Sequence, residues 1–205
     1  MTATPMFPLG SVVFPHTVLP LRVFEARYRR LMTDCLAGGR EFGTVLITRG
    51  SEVGGGDHRS DLGTLVSVVE ASEAADGQWT VLTVGTRRVR VARWLDDDPY
   101  PRAELEDAAE GPWSEAAAAA LALADRAVRR SLALQAELGH PAPPVHVELD
   151  PAPPVAAWQL AAISPLGPLD RQALLTVDEP SDRLARLAAL VEEENAVFEQ
   201  RLALG

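Results

Sequence analysis

MFPLGSVVFPHTVLPLRVFEARYRRLMTDCL, residues 6–36, is the stretch around which the chain is organised. Met6-Phe7-Pro8-Leu9 and Val12-Val13-Phe14 are short apolar runs, separated by Gly10-Ser11 and followed by Pro15-His16, which predicts two short, broken strands. From Phe24 the apolar spacing becomes helical: Phe24, Tyr28, Leu31, Met32 and Cys35 fall on one face, while Glu25, Arg29, Arg30 and Asp34 fall elsewhere. Gly38-Gly39 stops that helix.

Downstream of it, Phe42 to Thr48 is rich in β-branched residues and reads as a buried strand. The segment from Arg49 to Asp61 carries Gly54-Gly55-Gly56 and several charges, a loop composition. The glycine run is not fed by a strand or followed by a helix, and Asp57 lies beside it, so it does not read as a phosphate cradle. Leu62 to Glu70 and Trp79 to Val84 are strands joined at Ala75-Asp76-Gly77, and a further strand, Gly85 to Leu95, follows at once. Alternation in that strand puts Val89 and Val91 on one face and Arg88 and Arg90 on the other, an arginine ladder offset by the acidic run Asp96-Asp97-Asp98. Pro99 to Glu106 supplies a last strand.

These segments carry a resemblance. FPLGSVVFP, LPLRVFEARYRRLMTDCL, FGTVLITRGSEVG and DLGTL, in that order, resemble the N-terminal substrate-binding domain of the Lon protease family from about Met6 to Asp107. The resemblance implies an α+β fold, a PUA-like mixed β-barrel with one inserted helix, and a protein-binding module with no reaction of its own.

At Glu110-Gly111-Pro112 the composition shifts from β-branched residues to alanine and leucine, so a barrel domain is expected over 1–110 and a C-terminal α-helical bundle over 111–205. Ser114 is a fitting N-cap for a helix running to about Leu138, with Gly139 as its stop. Six prolines in the stretch from His140 to Pro154 keep that connection extended. Three helical pieces follow, Val155–Ile163, Leu169–Val177 and Asp182–Leu204, and SPLGPLDRQALLTVDEPSDRLARL resembles the helical portion that follows the barrel in Lon N-terminal regions.

With 205 residues, 47% of them apolar, the chain can bury ordinary cores without staples. No stretch reaches the length of a membrane span and no leader pattern opens the chain, so a cytoplasmic protein is expected. Cys35 lies on an apolar helix face, the place of a structural thiol.

The net charge is −10, and all 19 basic residues are arginine. Without lysine there is neither a Walker A phosphate loop nor a Ser-Lys dyad. The ATPase and peptidase chemistry of full-length Lon therefore has no residues here, and a stand-alone substrate-binding domain is expected. No serine sits in a nucleophile elbow, paired carboxylates such as Asp57 and Asp61 have no partner, and His16, His58, His140 and His146 match no metal-ligand spacing. No enzyme activity, cofactor or metal is expected.

The expected function is recognition of a polypeptide segment or protein partner, in a substrate-recognition or adaptor role in protein quality control, through a groove between barrel and bundle. Phe14, Pro15, Tyr28, Trp94 and Tyr100, large side chains beside loops or element ends, are the candidate anchors. The alternative is an RNA-binding PUA-like module using Arg87, Arg88, Arg90 and Arg93. An acidic chain repels phosphate backbones, which weighs against it.

Overall fold

In the computed structural model, which describes residues 3–50 and 58–204, the opening stretch divides differently from its apolar runs. The first strand, β1, is Thr4–Leu9. Val12-Val13-Phe14 is not a strand: it is a buried irregular connection. The buried Thr64 hydroxyl holds it by donating to the Val13 carbonyl at 2.6 Å. The second strand, β2, lies further on, at Val18–Val23, and contains Pro20. Among the described residues it pairs only with β5 (Trp79–Leu95) and ends the sheet order, and at such an edge a proline nitrogen can face away from the ladder.

Helix α1 spans Ala26–Ala37 and buries Tyr28, Leu31, Met32 and Cys35. Phe24, expected on the same face, is 57% exposed. The helix begins only after Glu25, whose backbone is extended, so residue 24 is outside the helical register. Gly38 closes the helix, its N–H donating to the Cys35 carbonyl.

The remaining strands are β3 (Glu41–Arg49), β4 (His58–Glu73) and β6 (Arg102–Asp107). The triple glycine and Asp57 lie outside the described residues. The two strands expected between Trp79 and Leu95 are one, β5, which runs through Gly85 with register shifts against its neighbours. A side chain at Gly85 would meet the Phe14 carbonyl oxygen at 2.2 Å, so only glycine lets the irregular connection lie against this strand.

The sheet order is β2-β5-β4-β3-β1-β6, with β6 also paired to β5. Five strands therefore form a closed hydrogen-bonded circuit, and β2 extends β5 outside it. Among the described residues, only the β1–β3 pair is parallel. Pleating sends neighbours to opposite faces: Met6 packs with Val45 and Ala103, while Phe7 and Leu9 join Phe42, Val66 and Val68 beneath α1.

The chain divides into two compact units, Met1–Ala109 and Glu110–Gly205. The second is helical: α2 (Glu115–Glu137), α3 (Pro153–Ile163), α4 (Pro168–Leu175) and α5 (Pro180–Leu204). Ser114 caps α2 by accepting from the Ala117 N–H. The last two helices begin a residue or two earlier than expected because proline suits a first helical turn. Helix α2 lies along α5, where Asn195 donates to the Ala127 carbonyl and Arg130 reaches Glu192 and Glu199. Within this unit Arg183 lies over the Trp158 ring at 3.7 Å and pairs with Glu110 at 2.7 Å, while the Trp158 indole donates to the other Glu110 oxygen. Arg171 closes the end of α3 by donating to the carbonyls of Ala162, Ser164 and Leu166, and its burial lowers its pKa.

Candidate functional site

In the first unit a large apolar side chain, Phe24, is exposed where β2 runs into α1. Val23, Phe24 and Glu25 make the turn between the two elements, and helix geometry begins only beyond it. Beside them opens a cleft of about 70 Å³ lined by Phe7, Leu9, Leu21, Val23, Phe24 and Tyr28, with Arg22 and Glu25 as its polar members. The floor is rigid, since the Phe7 and Tyr28 rings stack with centroids 4.0 Å apart and Arg27 lies over Tyr28. Glu25 is held by Arg27 at 3.1 Å. The site is therefore a small apolar notch with a large aromatic side chain standing free at its lip.

A second concavity, of about 420 Å³, is bordered by Thr4, Glu41, Leu65, Arg87, Val89 and Asp107 among others. Two of its rim charges engage each other, as Arg87 pairs with Asp107 at 2.7 Å.

Most of the anchors expected from sequence have other work. Phe14, Pro15, Tyr28 and Tyr100 are buried. Each packs inward because its segment is pressed onto strands or helix. Tyr28 alone among these four lines the small cleft. Tyr100 donates its hydroxyl to Asp34 at 3.0 Å, and burial together with that bond raises its pKa. Trp94 is half-buried, with the Arg59 guanidinium 4.5 Å from its ring centroid. Phe24, the most accessible large apolar group here, was assigned by helical spacing to the core face. The signal that could have placed it is Glu25-Ala26: a helix starting at Ala26 leaves residue 24 in the preceding turn.

The arginine ladder is also spent internally. Arg88, at 1% exposed, lies under the segment that leaves β6, donating to the Ala109 carbonyl while its own carbonyl accepts from Ala108. Arg87 is bound to Asp107 and Arg93 to Glu104, the latter pair raising the arginine pKa and lowering that of the glutamate. Arg90 is exposed and sits opposite Glu106 in the strand register. A face built this way presents little unpaired positive charge to a phosphate backbone.

Residues 3–193 match the family model described as the ATP-dependent protease La (LON) substrate-binding domain. The chain belongs to this family. Lon protease 3 of Sorangium cellulosum is 27% identical over 199 residues, 93% of this chain and 23% of the relative. Lon protease 1 of Myxococcus xanthus is 27% identical over 95% of this chain and 25% of its own length. The chain thus spans about a quarter of these Lon proteases. Among solved structures, a Lon N-terminal domain protein from Xanthomonas campestris superposes with a TM-score of 0.64 at 29% identity, covering 92% of this chain and 98% of that one. The N-terminal domain of the Mycobacterium avium complex Lon protease gives 0.67 at 16% identity over 93% and 98%, a likeness of fold. This is the Lon N-terminal fold, mixed α+β with a six-stranded sheet and five helices. Among the described residues, no group of three or more His, Cys, Asp or Glu is placed to hold a metal, and no helix is long and apolar enough to cross a membrane.

Proposed function

We propose that this Lon substrate-binding domain is a non-catalytic module that holds extended, apolar polypeptide segments at the β2–α1 notch, in an adaptor or substrate-recognition role in cytoplasmic protein quality control. In this reading the closed strand circuit is the PUA-like barrel of the family and serves as a scaffold. The observation that carries the proposal is Phe24, 57% exposed at the lip of an apolar cleft. A free aromatic beside a preformed notch is the arrangement that takes up a partner's apolar side chain, since rigid aromatic anchors give contact area at low entropic cost. Folded proteins keep such side chains inside, so a notch of this kind discriminates by conformation rather than by sequence.

The test is fluorescence anisotropy with a labelled, reduced and carboxymethylated polypeptide, with the same protein in its native state as control. Binding of the unfolded probe alone is expected, and Phe24→Ser should weaken it about fivefold or more, the loss of roughly one buried anchor. Phe24 is exposed, so that variant keeps the fold, which circular dichroism checks. In the same assay Trp94→Ala separates this notch from the far end of β5: loss there with Phe24→Ser unchanged would move the site to Trp94.

A further inference from the structure

The helical unit leaves one helix face without a partner. Helix α2 buries Ala117, Ala124, Ala127, Val128, Ser131 and Leu132. On the opposite side, Glu115, Ala119, Ala122 and Arg126 are spaced four, three and four residues apart and all are exposed, as are Ala116 and Leu123 beside them. At 100° per residue the four lie within an arc of about 60°. Leu123, 55% exposed, is the large apolar group of this face. Among the other charges on the helix, Arg129 pairs with Asp125, and Arg130 with Glu192 and Glu199. Glu115 and Arg126 have no ion pair among the described residues.

This pattern is its own complement. Reversing the helix end for end about the point between Ala120 and Leu121 exchanges Glu115 with Arg126 and Ala119 with Ala122. Two such faces laid antiparallel set each glutamate against the other copy's arginine at both ends of the contact. Alanines between them allow an interaxial distance near the short end of the range, about 8 Å. Leu123 of each copy then stands over the gap between Ala116 and Ala119 of the other. One patch serves both partners, as a two-fold interface requires.

We infer that the exposed face of α2 is a self-association surface, and that the chain forms an antiparallel dimer with a second copy of itself through Glu115, Leu123 and Arg126. The parallel arrangement is disfavoured, because in register it would bring like charges together at both ends. A contact of one helix pair is small, so the dimer is reversible and depends on concentration. Two polypeptide-binding units on one particle would also gain avidity for a substrate long enough to engage both.

Sedimentation velocity of the whole chain, from about 5 μM to about 500 μM, spans the range in which a contact of this size assembles. The sedimentation coefficient of the wild type is expected to rise from monomer to dimer. Arg126→Glu, which sets two carboxylates against each other at each end of the contact, should weaken association at least tenfold, and Leu123→Asn should do likewise. The double variant Glu115→Arg/Arg126→Glu restores the complement with signs exchanged and should recover the dimer. All three positions are solvent-exposed, and circular dichroism verifies the fold of each variant. A wild type that stays monomeric throughout overturns the inference, as does a dimer that Arg126→Glu and Leu123→Asn leave intact, or a double variant that fails to recover.

Discussion

Single side chains hold the irregular part of this fold where no ladder can. Residues 12–14 lie outside the strands, and their place is set by the Thr64 hydroxyl on the Val13 carbonyl and by the Thr44 hydroxyl on the Thr64 carbonyl. Backbone acceptors buried without a partner cost free energy, so buried threonines at these positions do what a ladder does elsewhere. Two other buried groups tie stability to alkaline pH. Burial pushes the Cys35 thiol from 9.0 up to about 11, and Tyr100 is likewise raised by burial and by its bond to Asp34. Both hold their protons more tightly folded than unfolded, so their contribution is present below the unfolded pKa values and is lost as pH rises through the folded ones. The denaturant midpoint is therefore expected to fall between pH 9.0 and about 11, and Cys35→Ala/Tyr100→Phe should flatten that fall. An equally steep fall in the double variant would assign the pH dependence to other groups.

At the level of elements, β2 combines a sheet edge with a proline. An edge strand offers unpaired backbone groups to any passing strand, and proline removes a donor from that row. Pro20→Val is expected to keep the fold and to raise aggregation on mild heating, measured by light scattering; no change in scattering would show that the edge is protected by other means. The same proline explains why β2 was hidden in the sequence. Apolar runs were legible at Met6–Leu9 and Val12–Phe14, yet only the first became a strand, because pairing with β5 rewards Val18–Val23 despite Pro20. The Tyr28, Leu31, Met32 and Cys35 face of α1, the turn at Asp76-Gly77 and the Ser114 cap were all readable, since each depends on a few adjacent residues. The candidate site was far less so. Whether an aromatic stands on the surface is decided by what crosses over it, and for Phe14, Tyr28 and Tyr100 the covering residues come from distant parts of the chain. The contacts of the arginine ladder were hidden for the same reason: Asp107, Glu104 and Ala109 reach it only once β6 is paired.

For the molecule as a whole, a net charge of −10 and a ladder in which Arg87, Arg88 and Arg93 are engaged set the long-range field against nucleic acid. Titration with a labelled single-stranded RNA is expected to stay flat even at low salt, where phosphate contacts are strongest, and a steep salt-dependent affinity would reinstate Arg90 and its neighbours. The absence of lysine leaves amine-directed crosslinkers and labels no side chain to react with, so interaction experiments on this chain depend on carboxylate or photoreactive chemistry. The closure of the strand circuit also bears on how the protein comes into being. Thr4 pairs with Ala103 and Pro5 with Arg102, so during synthesis β1 must wait for nearly the whole unit before its second edge is covered. During that interval β1 and β3 are a half-built sheet with apolar faces open to water. A domain proposed to hold unfinished polypeptides passes through the same condition in its own synthesis.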